Sequence, residues 1–466
     1  MQLRIGKIAA RLARTITRRA IDTVGRRWTC GLALAVVLAS GAARAQRVES
    51  LGPAVRAYVK VGTPRVILAH VELIDGTGAA PRLDQNIHLE GGKITAITAG
   101  ADVAPRDGTT VLDLRGHAVI PGIVGMHEHL FYMARPNLGA DASFEGPAVF
   151  HQMSFSAPRM YLAAGVTTLR TTGSVEPYTD LKLKRAIERG VLPGPHLDVS
   201  GPYLDGAGNP NLQMQELTGP EDARQTVAYW ADRGVTSFKA YGNITRDELR
   251  AAVQEAHRRG IKVTGHLCSV TYPEAIAIGI DDLEHGFTAN TQLDPDKKPD
   301  ACSASGGDAT RERMTPGSAE ADRLIALLVG RHVAITSTLP NAASRRDAEP
   351  ALDGRPRLPA AALQAMAPTV RDGYLYARNR ATDPAAQARA ARALRREMDL
   401  ERAFVAAGGL LLAGADAVGN GGVIPGFGDH REIELLVEAG FAPVQAIRIA
   451  TLNGAIFLGR QDQIGS

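Results

Sequence analysis

A chain of 466 residues with 45% apolar and 22% charged side chains has room for one large α/β domain or two ordinary ones, which excludes a disordered or fibrous protein. Its formal charge of +4 hides a split, because residues 1–45 hold nine basic residues and one acidic, leaving 44 basic against 48 acidic in the rest. The bulk of the chain is therefore weakly acidic and lacks the broad basic balance on which nucleic-acid binding depends.

The first segment, 1–45, reads as a signal peptide. A basic stretch from Arg4 to Arg27 precedes the apolar run Leu32–Ala39, and Ala43-Arg44-Ala45 fits the small-x-small rule for cleavage. The run is shorter than the roughly 18 residues a spanning helix needs, so no stable membrane anchor is expected once the segment is removed. The pairs Arg18-Arg19 and Arg26-Arg27 leave twin-arginine export open, and Cys30 stands ahead of the apolar core, badly placed for a lipid anchor. The expected address is periplasmic or secreted. In such an oxidising compartment Cys268 and Cys302 admit three readings: a disulfide, a free thiol, or two unrelated buried cysteines.

Residues 46–64 read as a leader. Over 65–118 the alternating runs Val66–Ile74, Ile87–Glu90, Lys93–Ile97 and Thr110–Leu114 are punctuated by Asp75-Gly-Thr-Gly78 and Gly91-Gly92. Glycine pairs between alternating runs mark hairpins, so a small N-terminal β-domain is expected. Over 119–456, eight β-rich runs alternate with amphipathic helical segments. The runs are Val119–His129, Val166–Gly173, His196–Leu204, Val235–Gly242, Lys262–Ser269, Asp281–Phe287, His332–Pro340 and Leu410–Ala417. Among the helical segments, Thr245–Arg259 opens with the capping box Thr245-Arg-Asp-Glu248 and stops at Gly260. This alternation predicts an α/β fold, a parallel (β/α)8 TIM barrel. Thr288–Ser318 and Asn341–Arg396 break the rhythm where such folds carry substrate loops, although the second also reads as a solvated helical pair.

His127-Glu128-His129 closes the first run. Residues two apart on a strand share a face, so both imidazoles can hold one ion while Glu128 turns away. Four further residues of metal-binding or acid–base type stand near the ends of later runs: Lys239, His266, His285 and Asp416. Singly, each has an ordinary reading as a hydrogen-bonded histidine, an edge lysine or a helix N-cap. Jointly, such residues at the ends of strands one, four, five, six and eight point to one metal-dependent site, because a parallel barrel does its chemistry at that face. The remaining histidines (His70, His88, His117, His151, His196, His257, His332 and His430) read as structural or solvated.

With these residues in place the chain resembles the amidohydrolase superfamily, metal-dependent hydrolases on a distorted (β/α)8 barrel with a composite β-domain. The resemblance rests on Pro121-Gly-Ile-Val-Gly-Met-His-Glu-His129, Lys239, Gly265-His266, Glu284-His285-Gly286 and Gly414-Ala-Asp416, and runs from about Val66 to the last residue. Ala164-Gly-Val-Thr-Thr-Leu-Arg170 and Ala450-Thr-Leu-Asn-Gly-Ala455 resemble the branch related to imidazolonepropionases and zinc-dependent prolidases. The resemblance implies two divalent metal ions, zinc first, with manganese, cobalt or iron as alternatives. It places His127, His129 and Asp416 on one metal, His266 and His285 on the other, and carboxylated Lys239 between them. It implies a metal-bridging hydroxide as nucleophile and Asp416 as general base and acid.

Mononuclear relatives place a glutamate just after the strand-five histidine. Here Leu267-Cys-Ser-Val-Thr-Tyr-Pro273 follows His266 and the first glutamate is Glu274, which favours two metals and hydrolysis over deamination. Tyr241, two residues beyond Lys239, shares its face and can meet the substrate oxygen or simply pack. Arg170 and Tyr203 can each meet a substrate carboxylate or brace the rim. The expected activity is hydrolysis of a C–N bond in a small-molecule amide, dipeptide or N-acyl amino acid. The alternatives are a cyclic amide or lactone hydrolase and an inactive metal-containing binding protein. A homo-oligomer stays open. Residues 457–466 read as the start of a return to the β-domain that the family usually carries further, so exposed edges are expected on its strands.

Overall fold

The computed structural model describes residues 48–104, 106–134, 147, 149–343, 364, 366–379, 384–418 and 423–466. The expected signal peptide, 1–45, lies outside the described residues.

The first five strands are β1 (Arg65–Leu73), β2 (Arg82–Glu90), β3 (Lys93–Ala99), β4 (Thr109–Asp113) and β5 (Ala118–Val119). They form one sheet in the order β3-β2-β1-β4, with β5 parallel to the end of β1. Alternation along β1 buries Ile67, Ala69, Val71 and Leu73, of which Val71 and Leu73 pack with Ile87 of β2 and with Leu114 and Val119. The β2–β3 hairpin turns at Gly91 and Gly92, whose φ values of 60° and 76° suit glycine. Every residue of β3 is exposed, including Ile94 and Ile97. The chain ends beside this sheet, where the Gly465 carbonyl occupies the space a side chain on Gly76 would need.

The next ten strands are β6 (Ile123–Glu128), β7 (Phe131–Ala134), β8 (Val149–Gln152), β9 (Val166–Thr171), β10 (His196–Asp198), β11 (Ser237–Ala240), β12 (Lys262–Gly265), β13 (Asp282–Glu284), β14 (Ala334–Ser337) and β15 (Leu411–Ala413). Leaving aside the antiparallel pair β7–β8, they fall on the eight runs read from the sequence. β6, β9 and β10 pair in parallel, as do β11 through β15 in chain order. Parallel bridges from Ser200 to Ser237 and from Leu204 to Ala240 link the two groups. At the other end the Asp416 N–H donates to the His127 carbonyl at 2.9 Å, just beyond β15 and β6.

These strands are buried on both faces, as a mixed α/β fold with covered parallel strands requires. Phe238, Val263, Leu283, Ile335 and Leu411 are fully buried, each contributing about 1.5–3 kcal/mol of transfer free energy. Helices lie between them. Arg246–Arg258 carries the expected capping box from Thr245 and Glu248, and buries Leu249, Ala252, Val253 and Ala256. Pro384–Ala406, 23 residues long, begins within the second irregular stretch and runs past its end at Arg396. Its Leu394, Met398 and Phe404 are buried in the core, so this helix is not solvated on every side.

Candidate functional site

All six sequence-selected residues meet at the C-terminal ends of the parallel strands. His127 is the fifth residue of β6 and His129 follows that strand by one residue, so both turn inward. Glu128 turns the other way and accepts from the Ala415 N–H at 2.9 Å. Asp416 stands three residues after β15. Its Oδ1 lies 3.4 Å from His127 Nε2 and 3.1 Å from His129 Nε2. Gly414 makes this approach possible, since a Cβ there would collide with the backbone and Cβ of His127.

Lys239, third residue of β11, is almost fully buried, and its Nζ lies 3.1 Å from His127 Nε2. Burial lowers its pKa from the ordinary lysine value. His285, one residue beyond β13, places its ring centroid 4.4 Å from that of His127 and 4.5 Å from that of His266, which follows β12. The backbones of His285 and Asp416 are left-handed, with φ of 64° and 49°, a conformation uncommon for residues with a Cβ.

This donor set suits a divalent metal. One ligand atom each from His127, His129 and Asp416 lie within 4.8 Å of one another. His129 Nδ1 and His285 Nε2 are buried without a hydrogen-bond partner among the described residues. Burial lowers His129 to about 4 and His266 to about 3, so both are neutral imidazoles near pH 7, the form that binds metal. Burial alone would raise the Asp416 carboxyl, but His127 beside it and hydrogen bonds from His127 and His129 hold it well below the usual range.

Three side chains that sequence reasoning left without a role hold these residues in place. Glu284 Oε2 lies 2.7 Å from His127 Nδ1. Thr338 Oγ1 lies 2.9 Å from His285 Nδ1, and the Asn341 amide donates to Asp416 Oδ2. Glu284 stood in the Glu284-His285-Gly286 motif, and a carboxylate next to a candidate ligand was the available signal. Arg170 proves to be a brace with no access to substrate. Its side chain is 1% exposed and donates to the Met126 carbonyl, to Asp282 at 2.9 Å and to Glu284 at 3.0 Å.

The site opens into a cavity of about 1210 Å³. Tyr241 lines it, its ring 5.0 Å from those of His266 and Tyr203, and Tyr203 lines it too. Burial pushes the Tyr241 phenol well above its ordinary value. Cys268 also lines the cavity and is joined by a disulfide to Cys302, with a Cα separation of 4.9 Å. Of the three readings of these cysteines, the disulfide is the observed one.

The sequence profile of the amidohydrolase family matches residues 118–466. Over 254 residues the chain is 27% identical to an uncharacterized protein of Mycobacterium tuberculosis and equally to one of Mycobacterium bovis, covering 52% of this chain and 59% of each relative. The chain thus spans 59% of the length of these curated relatives. Among solved structures it resembles a Xaa-Pro dipeptidase with bound methionine (TM-score 0.60, 19% identity, 86% of this chain and 90% of that one). Bottromycin amidohydrolase gives a TM-score of 0.61 at 22% identity, with 89% and 84% covered. Ochratoxinase from A. niger gives 0.56 at 16% identity, with 86% and 85% covered. At these identities the likeness is one of fold.

Proposed function

The chain belongs to the amidohydrolase family, and from that premise we propose that it is an exported metal-dependent hydrolase that cleaves a C–N bond in an amide, a dipeptide or an N-acyl amino acid. The observation that carries this reading is the meeting of His127, His129, Lys239, His266, His285 and Asp416, drawn from five strands, at one cavity. The parallel order of eight strands, with the Asp416 N–H bonded back to His127, supports a closed (β/α)8 barrel behind a separate small β-domain.

In this reading His127, His129 and Asp416 would hold one divalent metal, His266 and His285 would hold a second, and carboxylated Lys239 would complete the donor set. When bound, such ions polarise a carbonyl and lower the pKa of water. Carboxylation forms a bond from Lys239 Nζ to the carbon of carbon dioxide and releases one proton. The depressed lysine pKa favours it by leaving more of the amine neutral. Asp416 takes a proton from the attacking water on its carboxylate and delivers it to the leaving amine, while Asn341 keeps that carboxylate oriented. Tyr241 donates to the substrate oxygen from the cavity wall. The Cys268–Cys302 disulfide supports an oxidising compartment, in keeping with the periplasmic or secreted address.

The test is a hydrolysis screen on residues 46–466 loaded with zinc or manganese, using dipeptides, N-acyl amino acids, aryl amides and lactones beside Lys239→Ala. Cleavage of an amide by the parent alone, with metal lost from the variant, is the expected result. Turnover of lactones only would replace this reading by that of a cyclic-ester hydrolase. Silence from a folded, metal-loaded chain would sink it in favour of a binding protein.

A further inference from the structure

The cavity has two unlike walls. On one side Met133, Phe150, Met214 and Val418 form an apolar surface continuous with the Tyr203 ring. On the other runs the helix Pro384–Ala406, which presents alanines at 386, 390 and 393 and arginines at 389, 392 and 396. Nothing beyond Cβ projects from the alanines, so space is left between the guanidinium stems. Arg311 also lines the cavity, but it is occupied by the carbonyls of Thr288 and Gly306 and by Asp308.

Arg392 and Arg396 have no hydrogen-bond or ion-pair partner among the described residues, whereas Arg395 on the same helix reaches the Glu438 carbonyl at 3.5 Å. The carboxylates beside them are engaged elsewhere. Glu397 accepts from the Phe287 N–H at 2.7 Å and Glu401 from the Ser337 hydroxyl at 3.0 Å. Burial pushes Glu397 up to about 8 and Glu401 well above the usual range, so near neutral pH they do little to cancel the arginines. Asp416 is held by His129 and Asn341. Glu312 is a further lining carboxylate. Two guanidinium groups four residues apart share a helix face at about one turn of rise, a spacing that one carboxylate can bridge.

We infer that Arg392 and Arg396 form an anion subsite, and that the substrate carries a carboxylate on one side of its scissile amide and an apolar group on the other. Resting on the hydrolase reading above, this narrows the substrate to an N-acyl amino acid or short peptide with an apolar acyl group, and away from neutral amides and lactones. The apolar group lies against Met133, Phe150 and Met214, and the carboxylate takes charge-assisted hydrogen bonds from the two arginines.

The test is calorimetric binding to the metal-loaded full chain of the ketomethylene isostere of N-phenylacetylglycine, in which a methylene replaces the amide nitrogen so that no C–N bond can be cut. The comparison ligand is the same molecule with its carboxylate replaced by a hydroxymethyl group. The carboxylate should bind roughly 10- to 100-fold tighter, as expected for hydrogen bonds to a charged group. Arg392→Gln and Arg396→Gln should each shrink that preference and together abolish it. Arg396→Lys should retain most of it, and Arg395→Gln should leave it intact. Equal binding of the two ligands by the parent, no binding of either, or a preference that survives the double variant would overturn the subsite. Because turnover is not measured, a failed hydrolysis screen would strike the functional reading and leave this result standing.

Discussion

Arg170 and Glu284 form an ion pair at 3.0 Å with both side chains essentially inaccessible to water. The other oxygen of Glu284 lies 2.7 Å from His127 Nδ1, so one carboxylate joins the innermost arginine to a candidate metal ligand. With a metal bound, a carboxylate on Nδ1 would hold the proton there and leave Nε2, which in this structure bonds to Asp416, to the ion.

Glu284→Gln should weaken metal binding about 10- to 100-fold, because the amide orients the ring without supplying charge. Arg170→Met should be worse for stability, costing about 3–5 kcal/mol, since it leaves the buried carboxylates of Asp282 and Glu284 together without the cation they share. Competition with a chromophoric chelator and thermal melts separate the two effects. Unchanged affinity in Glu284→Gln would show that His127 is held by packing alone.

Much of this site was legible in the sequence, for a physical reason. Parallel strands buried on both faces read as continuous apolar runs, and a charged or imidazole residue at the end of such a run stands out, as Lys239 does after Ser237-Phe238. What escaped was anything set by contact across the fold. Glu284 and Arg170 are 114 residues apart, and no local pattern tells a buried arginine from one at the rim. The pair β7–β8 was missed because Phe131–Ala134 and Val149–Gln152 are too short for a periodicity, although Pro136-Asn137 and Gly146-Pro147 stand between them as turn signals. The Ala- and Arg-rich helix read as solvated because cavity-lining arginines and surface arginines have the same composition.

Tyr241→Phe should lower kcat/KM about 10- to 100-fold while leaving metal content unchanged, the signature of a donor that meets the reacting oxygen. Its phenol stays protonated through the working range, so no basic limb in the pH profile should vanish with the substitution. A variant indistinguishable from the parent would assign the ring to packing against His266 and Tyr203.

Glu397 and Glu432 predict how stability responds to pH. Burial raises each to about 8 from the ordinary 4.5. Between those values the folded chain keeps a proton that the unfolded chain has released. Their contribution to stability is therefore complete below about pH 4.5 and is lost as pH rises toward 8. Glu397→Gln leaves an acceptor for the Phe287 N–H but removes the titration. Its melting temperature should fall less than the parent's between about pH 5 and pH 8. Parallel curves for the two would show that Glu397 is solvated in solution.

The disulfide closes a loop between residues 34 apart, a constraint worth roughly 3–4 kcal/mol in the chain-entropy account. Cys302→Ser, or treatment with dithiothreitol, should lower the melting temperature. It should also raise KM, because Gly306, Arg311 and Met314 of the neighbouring segment line the cavity. Melts and Michaelis curves under oxidising and reducing conditions check both. A parent insensitive to reductant, with its thiols shown to be free, would refute the prediction.

The left-handed φ values at His285 and Asp416 bear on the proposal that this is a working enzyme. Each holds a Cβ in a conformation that costs about 1 kcal/mol or more, and glycine at either position would relieve it. Glycine would supply neither an imidazole nor a carboxylate, so at these two positions the donor atoms are held at the expense of backbone ease, and relaxing the backbone would empty the site of two of its six groups.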